Sequence, residues 1–333
     1  MKIAVDAMGG DFAPAEVVKG ALSVAREDSA LTIILVGDEA AIRLQLASEG
    51  DIPSNITIEH TDEVIEMGDH PASAVRKKRN SSLVVCGQLV KSGRADATIS
   101  AGNTGAAMAV AALDLGRIPG IERPAIAASL PTAHGATLLV DAGANVDCSP
   151  QNLLQFALLG SIYAEKVMGV ANPRVGLLNI GGEAGKGNDL TKTTYALLES
   201  RPLNFIGNVE GKDVFEHAAD VVVCDGFAGN VLLKTGEAVA EYIVTLLSQE
   251  AKAGGQATVE ALGPPMKRLL SKIDYAETGG APLLGVNGVS FISHGRSRAK
   301  AIASAIRAAA KAAGTDYVST VRDAVPTFSE ERP

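Results

Sequence analysis

The chain has 333 residues, with 30 basic and 38 acidic side chains for a net charge of −8, and 47% of it is hydrophobic. That length implies about two domains or one large two-lobed α/β unit, with core enough to need no disulfide or metal staple. The acidic balance, 4% aromatics and absence of tryptophan argue against a basic or base-stacking nucleic-acid surface.

Taken in chain order, Lys2–Asp6 is an apolar strand ending in Asp, followed by Gly9 and Gly10. Val17, Val18, Leu22 and Ala25 have helical spacing over 14–25, and 31–36 reads as a buried strand closed by Gly37-Asp38. A helix over 40–48, a strand over 56–59, a helix over 81–92 and a strand over 97–100 follow. Then come the turn Gly102-Asn103-Thr104-Gly105 and a helix of small residues over 106–115. The second half repeats the rhythm: strand 136–140 ending at Asp141, helix 151–167, strand 174–180, a glycine-rich loop over 181–187 and a helix over 190–200. Short strands at 205–206 and 220–224, a helix over 236–248 and an alanine-rich helix over 295–313 complete it.

One segment breaks the pattern. Residues 254–263 contain glycine and read as weakly structured, and Pro264-Pro265 then opens a helix over 266–275. Met266, Leu269, Leu270 and Ile273 lie on one face of it, with Lys267, Arg268 and Lys272 elsewhere around it. Strand–loop–helix alternation predicts a three-layer α/β/α fold with a mostly parallel sheet, whose ligands sit beyond the carboxyl ends of the strands. The whole of 1–333 is expected to be one two-lobed catalytic unit, with an amphipathic segment protruding at about 254–280.

Several signatures are missing. GxGxxG, GxSxG and HExxH do not occur, and the Gly185-Lys186 loop lacks both the earlier glycine and the following Ser/Thr of a P-loop. The three cysteines are far apart, which excludes a zinc finger or disulfide framework and fits a reducing cytoplasm. Asp6 and Asp11 interrupt any signal-peptide core, and no apolar run reaches membrane-spanning length.

What remains is a set of glycine-rich turns after strands. In the 181–187 loop, the amides of Gly181, Gly182, Gly185 and Gly187 form a candidate anion nest, beside Lys186 and a helix start near Asn188. The alternative is a flexible surface loop. Ser100-Ala101-Gly102-Asn103-Thr104-Gly105 and Asp225-Gly226-Phe227-Ala228-Gly229-Asn230 have the same logic, as do Asp141 to Asn145 and Asp6 to Asp11. Together they point to one shared pocket for an anionic ligand. The aspartates suit either helix capping or Mg²⁺. His294 precedes Arg296 and Arg298 as an anion contact. Cys148 is either a nucleophile or a small buried residue, and the latter is favoured.

These segments together resemble one family, the acyl-acyl carrier protein:phosphate acyltransferases of bacterial phospholipid synthesis. The matching stretches are AVDAMGGDFAP (4–14), ADATISAGNTGAAMA (95–109), LLVDAGANVDCSP (138–150), LLNIGGEAGKGNDL (177–190), the run over 205–239, and AETGGAPLLGVNGVSFISHGRS (276–297). They stand in register along nearly the whole chain. The resemblance implies acyl transfer from acyl carrier protein to inorganic phosphate, giving acyl phosphate for a membrane glycerol-3-phosphate acyltransferase. It also implies a fold similar to phosphotransacetylases and isocitrate/isopropylmalate dehydrogenases, and a homodimer; no cofactor and no metal site are assigned. The expected location is cytoplasmic, peripheral to the inner face of the plasma membrane.

On that resemblance, Lys186 and the loop amides hold phosphate, and Asn188, Asn103, Thr104 and Asn230 orient phosphate and the carbonyl. Asp225 and Asp141 organise their turns or act as base. Gly9, Gly10, Asp11, Ser100, Gly102 and Asn145 complete the substrate-binding turns, and His294 contacts the phosphopantetheine arm or caps the last helix. The 266–275 helix either packs on protein or lays its apolar face on anionic lipid. Arg76-Lys77-Lys78-Arg79 is the densest basic patch for an acidic carrier protein. Rival readings are a short-chain acyl-coenzyme A phosphotransacetylase, a non-catalytic membrane scaffold and a decarboxylating dehydrogenase.

Overall fold

The computed structural model describes residues 1–273 and 279–329. Its first half runs β1 (Lys2–Asp6), α1 (Ala15–Glu27), β2 (Thr32–Gly37), α2 (Glu39–Ser48), β3 (Ile56–His60), α3 (Pro71–Lys77), α4 (Ser82–Lys91), β4 (Ala97–Ser100) and α5 (Thr104–Val110). The middle comprises β5 (Ala125–Thr132), β6 (Gly135–Val140), α6 (Pro150–Tyr163), β7 (Val175–Leu178), α7 (Asp189–Glu199), β8 (Phe205–Val209), α8 (Gly211–Phe215) and β9 (Val221–Val223). The last part holds α9 (Gly226–Ala253), α10 (Gln256–Ile273), β10 (Ala281–Leu284), β11 (Val289–Ile292), α11 (Ala299–Ala313) and α12 (Tyr317–Ser329).

The strands form one sheet in the order β3-β2-β1-β4-β11-β10-β5-β6-β9-β7-β8. Their apolar residues are buried on both faces, as covered parallel strands require. Alternation sorts them. Ile3, Val5, Ile33 and Leu35 pack with α1, α6, α11 and α12 on one face. Ile126, Ala128, Leu130 and Ile292 pack on the other, with Val84 of α4, Ala107 of α5 and Leu233 of α9. This is the three-layer α/β/α architecture expected. Helices α1 and α11 approach closely because Gly20 has no side chain: a Cβ there would lie 2.6 Å from the Ala299 carbonyl oxygen.

One feature of the sheet escaped the sequence. Strand β10 runs against both β11 and β5, and β5 runs against β6, while the other pairings are parallel. The sets β3-β2-β1-β4-β11 and β6-β9-β7-β8 therefore point in opposite directions. Their carboxyl ends lie at opposite ends of the strands.

Several boundaries also differ. The helix expected over 236–248 begins at Gly226, because Asp225 caps it, and runs to Ala253. The stretch over 254–263 expected to be weakly structured is helical from Gln256, and the helix passes through Pro264 and Pro265. Helix α6 ends at Tyr163 and continues as a π-helical turn, Ala164–Met168. The end of the expected 266–275 helix lies outside the described residues. Strand β5 was not anticipated, since Ser129 and Pro131 mask its alternation.

Candidate active site

A cavity of about 650 Å³ lies on the second face of the sheet. Its floor is Ile126, Ala128 and Leu130, alternate residues of β5, with Ala281 and Ile292 beside them. Its roof is one face of α9, on which Leu233, Gly236, Ala240 and Ile243 recur at helical spacing. The polar lining comes from both strand sets: Thr104 and His294 follow β4 and β11, and Asn230 and Lys234 belong to the helix after β9. Among the described residues, Lys234 is the one lysine or arginine lining the cavity.

Lys234 Nζ pairs with Glu237 Oε2 at 2.8 Å, one turn along α9. His294 stands near this pair. Desolvation by the surrounding loops, then the positive charges of Lys234 and Arg296, hold its imidazole below the usual histidine value. The ring is therefore mostly neutral near pH 7. The Arg296 amide donates to His294 Nδ1 at 3.3 Å, which assigns the proton of the neutral ring to Nε2.

The other expected site residues fall into separate groups. Around β1 and β4, Ser100 Oγ donates to buried Asp6 at 2.6 Å and accepts from the Gly102 amide at 3.0 Å. Burial pushes the Asp6 carboxyl up against these and other hydrogen bonds. Gly9 lies against this pair, where a Cβ would be 2.5 Å from Asp6 Oδ2. Gly10 turns the chain at φ +111°, and the Asp11 amide donates to the Gly295 carbonyl at 2.9 Å. Asn103 caps α5 through the Ala106 amide, and its Nδ2 donates to the Met67 and Asp69 carbonyls at 3.1 and 3.0 Å. Its amide is thus spent on the protein, and the neighbouring Thr104 faces the cavity instead.

Around β6 and β9, Asp141 is fully buried and accepts five hydrogen bonds. These come from the amides of Ile126, Gly143, Ala144 and Asn145 and from Asn145 Nδ2, at 2.6 to 3.2 Å. Asp225 caps α9 through the Ala228 amide at 2.8 Å. Both aspartates organise their turns. Asn145 Nδ2 also reaches the Pro124 carbonyl. A Cβ on Gly143 would be 3.4 Å from Asn230 Cγ, so this turn backs Asn230, which lines the cavity.

The 181–187 loop follows β7, beyond β9 from the β6 turn. Asn179 holds it: the Ile180 amide donates to Asn179 Oδ1, and Asn179 Nδ2 donates to the Lys186 carbonyl. The Lys186 amide is used by the Glu183 carbonyl, and Asn188 caps α7 through the Thr191 amide. Gly181 is buried, Gly182, Gly185 and Lys186 are exposed, and Gly187 has φ +92°. None of these residues lines the cavity. The loop and the cavity are neighbours across the β9–α9 turn rather than one pocket.

In the basic patch, Lys78 pairs with Asp69 at 2.6 Å and Arg79 with Asp114 at 2.7 Å, and Arg76, Lys77 and Arg79 are exposed. No group of three or more His, Cys, Asp or Glu able to hold a metal occurs among the described residues. Met266 is half-buried, and Leu269 and Leu270 are exposed on α10. The side chain of Ile273 lies outside the described residues. Lys234, Glu237, Ser293, Ser297 and the β5 floor were not singled out from the sequence. The one signal for the roof was the spacing Leu233–Gly236–Ala240–Ile243, hidden because the helix was expected to start at 236.

Burial raises the Cys148 thiol to about 11, and Cys148 Sγ contacts the Asn145 carbonyl at 3.4 Å. A thiol so rarely ionised near pH 7 is a poor nucleophile. Cys148→Ser is expected to retain activity within about threefold in kcat/KM. Mass spectrometry of the quenched wild-type enzyme should show no acyl group on Cys148, and an acylated Cys148 would reverse this reading.

A family model described as a fatty acid synthesis protein matches residues 1–320. The chain is 52% identical over 333 residues to a phosphate acyltransferase of Desulfitobacterium hafniense (strain DSM 10664 / DCB-2), covering 99% of each chain. It is 53% identical over 330 residues to that of Heliobacterium modesticaldum, covering 98% of each. Among solved structures it resembles a phosphotransacetylase from Streptococcus pyogenes, with TM-score 0.63, 20% identity and 94% of each chain covered. It also resembles a 4-hydroxythreonine-4-phosphate dehydrogenase from Klebsiella pneumoniae, with TM-score 0.54, 14% identity and 94% and 97% covered. Those two likenesses are of fold. With near-complete coverage at about half identity, the chain belongs to the phosphate acyltransferase family and is an acyl-transferring enzyme.

Proposed function

We propose that this enzyme moves a long-chain acyl group from the thioester of acyl carrier protein to inorganic phosphate, yielding acyl phosphate for phospholipid synthesis. The observation that carries this reading is the mostly apolar 650 Å³ cavity with a lysine, an amide and an imidazole along its polar wall. An acetyl group would leave most of that apolar surface wet, whereas a fatty chain covers it.

Phosphate near neutral pH is already partly dianionic, with a second pKa of about 6 by analogy with phosphorylated side chains, so it needs positioning more than deprotonation. A phosphate oxygen attacks the thioester carbon, the carbonyl electrons move to oxygen, and the collapse of that oxyanion breaks the C–S bond. The leaving thiol, with a pKa of about 8.5 by analogy with cysteine, departs without strong acid help. Lys234, Asn230 and the Nε2–H of His294 supply the cation and donors for this charge. Lys186 with the 181–187 loop, next to the start of α9, gathers phosphate. Asp141, Asp225, Asn103 and Asn188 hold the turns. Transfer is direct, with no acyl-enzyme.

The whole chain acts as one two-lobed unit from which α10 protrudes, since its principal packing partner is α9. Exposed Tyr242, Ile243, Leu246 and Leu247 on α9 support a homodimer that covers them. Exposed Leu269 and Leu270 support peripheral contact with anionic lipid, where the product would pass to a membrane glycerol-3-phosphate acyltransferase. No helix among the described residues is long and apolar enough to cross a membrane. The variant Leu269→Glu/Leu270→Glu should lose at least about tenfold in co-sedimentation with anionic vesicles, on the scale of two buried leucines exchanged for charges. Unchanged co-sedimentation would remove the membrane contact.

The donor is tested by comparing kcat/KM for a long-chain acyl–carrier protein and for acetyl-coenzyme A at fixed phosphate. The first should lead by at least about 100-fold, since each methylene in an apolar pocket contributes a factor of 10 or more. A preference for acetyl-coenzyme A would replace this reading with the phosphotransacetylase one.

A further inference from the structure

The cavity is mostly apolar, yet a carboxylate stands in its wall. Among the described residues, Glu237 is the single Asp or Glu that lines it. Its side chain is 32% exposed and pairs with Lys234 Nζ at 2.8 Å. The two lie three apart on α9, so both leave the helix on one side. Both also act on His294, Lys234 against its protonation and Glu237 for it, so the three groups share one polar patch of the wall.

A carboxylate at that place opposes an anionic substrate and an anionic product alike. Phosphate enters partly as the dianion. One of its oxygens forms the new C–O bond and the C–S bond breaks. The proton that the dianion carried ends on the thiol sulfur, and acyl phosphate leaves with the charge that phosphate brought. A lysine alone would hold both equally, and such uniform binding gains nothing in turnover.

We propose that Glu237 is the counter-charge of the phosphate seat: it weakens the hold of Lys234 on phosphate and on acyl phosphate, and so keeps product release fast. The inference rests on the reading that Lys234 meets the transferring phosphate in this cavity. A phosphate seated on Lys234 lies about 6 Å from the Glu237 carboxylate, the span of two charge-assisted contacts of about 3 Å across one ammonium. At that separation a dianion and a carboxylate repel enough in water to lower affinity about tenfold.

The test compares wild type, Glu237→Gln, Lys234→Ala and the double variant, with the folding of each confirmed by its thermal transition. Glutamine keeps an oxygen for Lys234 and removes the charge. KM for phosphate and inhibition by added acyl phosphate are measured with a long-chain acyl–carrier thioester at about 0.05 M and about 0.5 M salt. Glu237→Gln is expected to lower KM for phosphate and the inhibition constant of acyl phosphate about tenfold at low salt, and by less at high salt. It should also show a burst of acyl phosphate before a slower steady state. The gain in phosphate affinity should persist in the Lys234→Ala background, because the repulsion needs no lysine. If Lys234→Ala loses activity while Glu237→Gln leaves phosphate KM and product inhibition unchanged, the phosphate seat stands and the counter-charge is overturned. A KM for phosphate that rises in Glu237→Gln, with no effect in the Lys234→Ala background, makes Glu237 a holder of Lys234 and overturns it as well. Wild-type kinetics in Lys234→Ala would place the transfer elsewhere, and this inference would fall together with the reading beneath it.

Discussion

Lys234→Ala is expected to lower kcat/KM by about 10²–10³-fold, the scale of losing one preorganised partner of a developing anion. Lys234 is the one lysine or arginine at the cavity wall among the described residues, and the reaction brings a phosphate dianion to a carbonyl that becomes anionic. Its removal also leaves the Glu237 carboxylate without the 2.8 Å partner that now offsets it, so the wall turns repulsive to phosphate. Lys234→Arg should recover part of the rate. A second readout separates this electrostatic role from structural damage. Lys234 now opposes protonation of His294 and Glu237 favours it, so without Lys234 the His294 titration followed by NMR should move upward. Lys186→Ala, by contrast, should raise KM for phosphate about tenfold with kcat nearly retained, as expected for lost ground-state binding. Wild-type rates for Lys234→Ala would place the transferring charge elsewhere.

Asp141→Ala should destabilise the fold by about 3–5 kcal/mol, because it strips the acceptor from a cluster of buried donors. Four backbone amides and the Asn145 side chain donate to this one carboxylate. Alanine leaves them facing protein, and water has no route to a fully buried position. The melting temperature should fall by about 10 °C, given a few degrees per kcal/mol for a chain of this size. The neighbouring glycine is equally committed, since a Cβ on Gly229 would run into the Asp141 carbonyl oxygen. The same variant separates an organising role from a catalytic one. If Asp141 were a base, Asp141→Ala would melt near the wild-type temperature and fail in the chemical step alone.

Much of the fold was legible because covered strands and amphipathic helices leave distinct periods in the sequence. Lys2–Asp6, 31–36 and 97–100 read as buried strands and are β1, β2 and β4. The direction of the second strand set was not legible. It follows from β5 and β10, in which Ser129, Pro131 and Pro282 obscure the strand pattern. That reversal gives opposite strand directions to turns that looked equivalent as glycine-rich motifs.

The site was legible as a set of turns but not as a set of contacts. Asn103, Asn188 and Asp225 stand where a ligand-binding turn would put a polar side chain, and each caps a helix instead. Both uses demand the same residue types at the same place, so sequence cannot divide them. Asn230, Thr104 and His294 were singled out and do border the cavity. A Lys–Glu pair three apart on a helix reads as a solvated face, so nothing in the sequence marks Lys234 and Glu237. Only the register of α9 over β5 turns that pair toward an apolar floor.

The most direct test of the account is single-turnover conversion of a long-chain acyl–carrier protein, with and without inorganic phosphate, followed by mass spectrometry. The account predicts acyl phosphate and free carrier protein in equal amounts, strictly dependent on phosphate, with no acylated enzyme at any time. Loss of the acyl group from the carrier without phosphate, or an acyl-enzyme preceding the product, would contradict it.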